Sequence, residues 1–104
     1  MAQIEYSPKA ISDLEEIGDY IERDLSSPKA ALNTINNILK SVDNLSVFPL
    51  MGASLSSIAN IVTDYRFLIC GKYIVFYRTI ENTVFVDRIL YGKRNNLAIL
   101  FPEI

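Results

Sequence analysis

The sequence has no histidine and only one cysteine, Cys70, in 104 residues. Without histidine, the commonest general base near neutral pH and the commonest metal ligand are both missing. A single thiol excludes an intramolecular disulfide and a thiolate zinc site, so neither a metal nor a cofactor is expected. No apolar run approaches the ~18 residues that cross a membrane, and no secretory leader is visible, so a reducing, cytoplasmic location is expected. A strong net charge is lacking too. Ten Lys and Arg against twelve Asp and Glu give a formal charge of −2, and a pI near 5.0 provides no global electrostatic drive towards nucleic acid.

What is present is apolar. Half the residues are hydrophobic and the mean hydropathy is +0.21, a high load for a chain whose surface is large relative to its interior. The length predicts one domain, and the apolar excess predicts that a partner covers part of it. The charge is unevenly spread. Residues 1–60 carry 4 basic and 8 acidic side chains, whereas residues 61–104 carry 6 and 4.

The tetrapeptide SPKA occurs at Ser7 to Ala10 and again at Ser27 to Ala30. After the first copy, Ala10, Ile11, Leu14, Ile17, Ile21 and Leu25 recur at helical steps, with acidic side chains between them. After the second, Ala31, Ile35, Ile38, Val42 and Leu45 form a similar stripe. Serine at the N-cap followed by proline at the first helical position starts a helix, so the repeat marks two helix starts rather than a duplicated functional motif. Only Ser26 and Ser27 separate the two runs, which predicts an antiparallel helical hairpin.

From Phe48 to about Asn60 the periodicity is lost, and Pro49 and Gly52 predict a loop. Three β-rich stretches follow, at about Val62 to Cys70, Tyr73 to Ile80 and Val84 to Tyr91, with Gly71-Lys72 as a two-residue turn and Asn82-Thr83 as a candidate second turn. A short opening strand, Gln3 to Tyr6, joins them. Parity counted from these turns puts Phe67, Ile69, Ile74, Phe76, Arg78, Phe85, Asp87 and Ile89 on one face, the expected seat of the hairpin, with Arg78 opposite Asp87. On the other face it places Arg66, Tyr77 and Arg88 side by side, two guanidiniums around a phenol, a row suited to phosphate or carboxylate. The last strand runs into YGKRNN, where Lys93 and Arg94 offer a second cationic site, and then into the apolar tail LAILFPEI, expected to cover the second sheet face or a partner.

The segments YSPKAISDLEEIGDYI, AALNTINNILKSVDNLSVFPLMG, YRFLICGKYIVFYR and DRILYGKRN, in this order and spacing, make the chain similar to the RelE/ParE superfamily of bacterial toxins from type II toxin–antitoxin modules. The resemblance implies an α+β fold over residues 1–104, with an N-terminal strand and a helical hairpin packed on an antiparallel sheet in the order β-α-α-β-β-β. It also implies a growth-inhibiting protein, of the kind found in plasmid stabilisation, held silent by a cognate antitoxin whose C-terminal segment wraps it.

That superfamily divides by target: RelE-like members cleave mRNA on the ribosome and ParE-like members poison DNA gyrase. RelE-like chemistry places one arginine just after the central turn, another in the glycine-basic turn, and a tyrosine or histidine in the tail. Arg94 matches the second, but the first position holds Tyr73 or Ile74 and the tail from Leu97 to Ile104 has neither Tyr nor His. The reading taken is therefore ParE-like. The alternative is a RelE-like endoribonuclease with Tyr77, Lys72 or Lys93 in acid–base roles, and the third class is a binding module that has lost toxicity. No catalytic residue is assigned; Arg66, Tyr77, Arg88, Lys93 and Arg94 are the expected contacts to target or antitoxin.

Overall fold

A computed structural model of the chain describes residues 1–102. Strand β1 (Gln3–Tyr6) leads into helix α1 (Pro8–Asp24) and helix α2 (Pro28–Asp43). Both helices begin at SPKA: the Ser7 hydroxyl accepts from the Ala10 amide at 3.0 Å and the Ser27 hydroxyl from the Ala30 amide at 3.2 Å. Each such cap contributes about 1 kcal/mol. The two copies differ in one respect. The Ser7 amide also donates to the Val86 carbonyl at 2.9 Å, and its hydroxyl donates to the Asp87 carbonyl at 2.7 Å, so the first helix is fastened to the sheet at its start.

The remaining strands are β2 (Ala53–Ser54), β3 (Arg66–Cys70), β4 (Tyr73–Ile80) and β5 (Thr83–Tyr91), followed by a short helix α3 (Asn96–Leu100). The sheet order is β1-β5-β4-β3-β2. β3, β4 and β5 form an antiparallel meander, closed first by Gly71-Lys72, where Gly71 takes φ +60 as the first residue of the turn, and then by Glu81-Asn82. The second turn therefore lies one residue earlier than Asn82-Thr83. β1 pairs with β5 in parallel, from Gln3↔Thr83 to Tyr6↔Val86. No hairpin turn joins these two strands, so nothing imposes the antiparallel sense implied for the sheet.

The second departure is in register. Phe76 pairs with Arg88 but Tyr77 pairs with Val86, which leaves Asp87 as an extra residue on β5, a bulge. An inserted residue reverses the alternation of side chains beyond it. Ile89 and Tyr91 consequently point to the same side as Val84 and Val86.

The hairpin lies on the face of Val75, Tyr77, Val84, Val86 and Ile89, which form one core with Ile17, Ile21, Ile38, Val42 and Leu45. This is the face opposite to the expected seat. The other face carries Phe76 and Leu90, covered by Leu55, Tyr65 and the tail residues Ile99, Leu100 and Phe101. Both faces are apolar and both are covered, so apolar density does not single out the hairpin side. Burying each aliphatic side chain fully contributes about 1.5–3 kcal/mol, which favours closing both faces.

Candidate functional site

The expected row of two guanidiniums around a phenol is not present as a surface. Arg66 does stand opposite Tyr77, but the bulge moves Arg88 away from it, and Tyr77 is completely buried beneath the hairpin. The phenol donates to the Pro49 carbonyl at 2.8 Å and accepts from the Gly52 amide at 2.9 Å. Burial raises its pKa, opposed by the Gly52 hydrogen bond and by Arg66. Arg66 donates to the Gly52 carbonyl at 2.7 Å and the Leu50 carbonyl at 3.4 Å. Together the two side chains pin the loop that displays Phe48, Leu50 and Met51 to solvent.

Arg88 is engaged elsewhere. β1 ends at Tyr6, so the last half of β5 has no strand on that edge, and α1 crosses it there. Buried Asp13 accepts from Arg88 Nε at 2.8 Å, from Arg88 Nη2 at 2.9 Å and from the Ile89 amide at 2.9 Å. The fork-shaped pairing is charge-assisted and raises the Arg88 pKa. Arg78 is similarly used. It stands opposite Phe85 rather than Asp87, yet its Nε reaches Asp87 Oδ2 at 2.8 Å because the bulge frees that carboxylate from a cross-strand position. Its guanidinium lies 5.5 Å from the centre of the Tyr65 ring.

What remains open is a cleft of about 930 Å³ under the tip of the hairpin, at the end of the sheet where β3 turns into β4. Tyr20 and Ile21 of α1, Thr34 and Asn37 of α2, and Ile69 and Tyr73 of the meander line it. Tyr73 and Tyr91 meet edge to face with their centroids 5.9 Å apart, and burial raises the Tyr73 pKa ahead of contributions from Tyr20 and Tyr91. Cys70 lies at the same place as a half-buried thiol, pushed up by burial.

Two loops close the cleft with cations. The Gly92 amide donates to the Lys72 carbonyl at 2.8 Å, tying the turn after β5 to the turn after β3 and bringing exposed Lys72 and Arg94 to one rim. Lys93, beside Arg94, is exposed but does not line the cleft. Among the described residues neither Lys72 nor Arg94 pairs with a carboxylate. The helix side of the cleft carries Glu16.

A family model described as the ParE toxin of the type II toxin–antitoxin system parDE matches residues 4–96. The chain belongs to the ParE toxin family. As the resemblance implied, this ParE toxin has the α+β fold of the superfamily: a chain of the chromosomal ParDE toxin–antitoxin system from P. aeruginosa matches it with a TM-score of 0.75 at 24% identity, covering 89% of this chain and 98% of that one. No curated protein sequence matches it. Among the described residues no helix is long and apolar enough to cross a membrane.

Sequence reasoning missed Asp13 and the cleft. The signal for Asp13 was present. It lies three residues after Ala10 and four before Ile17, both on the apolar stripe, and a carboxylate there needs a buried donor. The cleft had no comparable signal, because Tyr20, Tyr73 and Arg94 are distant in the chain and meet only through the fold.

Proposed function

We propose that this ParE toxin arrests growth by poisoning DNA gyrase when free and is held silent by an antitoxin that occupies the cleft. The family match over residues 4–96 carries this reading. The cleft supports the antitoxin part: Leu25 and Tyr20, both on its lining, stay 58% and 52% exposed. Large apolar side chains gathered in a concavity with polar groups at its rim favour a protein partner. Lys72, Lys93 and Arg94 supply charged contacts to antitoxin or target.

Of the places that RelE-like chemistry would use only Arg94 is filled, which favours a gyrase poison over an endoribonuclease. Deprotonating a 2′-hydroxyl and holding the phosphorane charge requires a base and cations that converge on exposed space. Tyr77 is buried with both functions of its hydroxyl in use, and Arg66 and Arg88 are bound to internal acceptors. The residues just after the central turn are Tyr73 and Ile74.

The test is direct. Purified toxin added to a gyrase supercoiling assay is expected to trap gyrase–DNA cleavage complexes, and added to a translating extract it is expected to leave mRNA intact by primer extension. Codon-dependent cuts without trapped complexes would replace the gyrase reading by the ribonuclease one. Co-expression with a candidate antitoxin encoded beside the toxin gene is expected to restore growth and yield a stable complex.

A further inference from the structure

Between Asp43 and Asp64 the sequence contains no Lys, Arg, Asp or Glu. Within that stretch Val47, Phe48, Leu50 and Met51 crowd one loop, and Phe48 and Leu50 stay 63% and 62% exposed. Single apolar side chains on a surface need no explanation, but several in one loop with no charge among them do. The loop is also fixed from beneath. The Phe48 amide donates to the Asn44 carbonyl at 3.0 Å and the Met51 amide to the Phe48 carbonyl at 3.1 Å. The Tyr77 hydroxyl bridges Pro49 and Gly52, and Arg66 donates to the Leu50 and Gly52 carbonyls. A buried phenol and a guanidinium are thus committed to holding a loop whose own large side chains point into water.

We infer that this loop is the toxin's contact with the protein part of its target, with Phe48 and Leu50 as anchors in an uncharged, apolar recess of that protein. Charge decides the chemistry of the partner. The stretch offers no cation to a phosphate, and Arg66 beneath it is bound to internal carbonyls, so nucleic acid and anionic lipid are both disfavoured. A charged recess would lose its water with nothing in the loop to replace it. Place separates this contact from the antitoxin. No residue from Asn44 to Thr63 lines the cleft. Arg66, which holds the loop, starts β3, and Cys70, which lines the cleft, ends it, about 13 Å further on at the rise of an extended strand. A segment seated in the cleft therefore leaves the loop open.

Size argues against a second copy of the chain. Loop against loop would bury little more than these side chains, whereas a stable interface uses about 20–30 residues a side. A larger target can surround a projecting loop and reach the surface around it. Rigidity completes the case: a loop already fixed loses little entropy on docking, and binding energy concentrates in buried aromatic anchors. The inference rests on the reading of this protein as a toxin with a protein target, and it locates that target's contact away from the antitoxin site.

The test compares wild type with the Phe48→Asp, Leu50→Asp toxin and with Leu32→Asp, which alters an equally exposed leucine, at 62%, outside both loop and cleft. The loop variant is expected to need about tenfold or more toxin to arrest growth and to inhibit gyrase supercoiling, while binding a candidate antitoxin encoded beside the toxin gene as wild type does. Leu32→Asp is expected to match wild type in all three. Circular dichroism checks folding, and Phe48→Ser, Leu50→Ser takes the place of the charged pair should that disturb it.

Growth arrest at wild-type dose by the folded loop variant would overturn the inference. So would a tenfold loss of antitoxin affinity in that variant, which would assign the loop to the antitoxin. A wild-type dimer in sedimentation that the loop variant lacks would overturn it too, in favour of a second copy. Loop-dependent arrest by a toxin that leaves gyrase untouched would retire the gyrase reading and leave the inference standing. A wild-type toxin that arrests nothing would remove both.

Discussion

Arg88 and Arg94 lie six residues apart, and they are used in opposite ways. Arg88 donates two hydrogen bonds to Asp13, which also accepts from the Ile89 amide on the edge that β1 leaves unpaired. Arg94 is exposed on the cleft rim and pairs with no carboxylate among the described residues. The same side chain thus serves as a clasp in one place and as a contact awaiting a partner in the other. The deciding factor is what surrounds it: a buried charge must be paired, whereas an exposed one is satisfied by water until something covers it. Each prediction below tests one side of that contrast.

The largest effect is expected from Asp13→Ala. Removing the carboxylate leaves a partly buried guanidinium and an edge amide without their acceptor, and breaking such a pair costs about 3–5 kcal/mol. Set against a total stability of about 5–15 kcal/mol for a domain, this shifts the denaturant midpoint far down or prevents folding. Asp13→Asn keeps one acceptor oxygen and is expected to fall between wild type and Asp13→Ala. A midpoint within error of wild type for Asp13→Ala would mean that Arg88 is not a clasp, and the contrast with Arg94 would collapse.

Next in size is the second internal device, the Tyr77 hydroxyl. Tyr77→Phe leaves the Pro49 carbonyl and Gly52 amide without their partner and is expected to cost about 1–3 kcal/mol, with faster hydrogen exchange at the Gly52 amide. Gly52→Ala attacks the same joint from the other side. A Cβ there would sit 2.6 Å from the Phe67 carbonyl oxygen and 2.7 Å from the Tyr77 hydroxyl, so one of them must move, at about 1–3 kcal/mol. Equal exchange rates in wild type and Tyr77→Phe would show that the loop is not pinned by the phenol.

A smaller effect separates the folded interior from water by pH. Tyr6 is pushed up to about 12 by burial and then by Asp43. Tyr65 is pushed up to about 12 by burial, then by Asp87 and Asp64, with Arg78 opposing. A phenol with an ordinary pKa near 10 in the unfolded chain loses its proton there first. The stability these groups contribute is therefore complete below about pH 10 and lost as the pH rises from there towards 12. Denaturant midpoints across that range are expected to fall, and Tyr65→Phe to fall less steeply. A flat profile would place both rings in water.

How much of this was legible beforehand differs between local and long-range features. The SPKA caps, the Gly71-Lys72 turn and the pairing of Cys70 with Tyr73 follow from neighbours in the chain, and they stand as expected. The face assignment does not, because it depends on β5 having no extra residue. The bulge at Asp87 is stabilised by the Ser7 hydroxyl on its carbonyl, from outside the meander, and by Arg78 of β4 on its carboxylate, and turn lengths contain no trace of either. For the same reason Arg88 read as a neighbour of Tyr77, whereas Arg66 and Tyr77, which stand opposite each other as expected, read as surface because both faces are apolar and the hairpin was seated on the wrong one. Of the expected contacts, Lys93 and Arg94 are the two that end in solvent, where a basic turn after a strand is readable but its meeting with Lys72 and Tyr20 is not.

The smallest effect on stability, and the sharpest test of the contrast, belongs to the cleft. Lys72→Gln with Arg94→Gln removes two charges that have no carboxylate partner among the described residues, so the denaturant midpoint is expected to correspond to a change within about 0.5 kcal/mol. Slight stabilisation is the favoured sign, because the two cations share one rim and repel each other. Added salt screens that repulsion in the wild type, so the difference between the two proteins is expected to shrink as salt rises. A loss comparable to that of Asp13→Ala would mean that Lys72 and Arg94 are already part of an internal network, and the free rim would then be an interior in disguise. A negligible change in the isolated toxin together with weakened partner binding would separate the two roles, since it is burial by a second molecule that turns an exposed charge into one that must be paired.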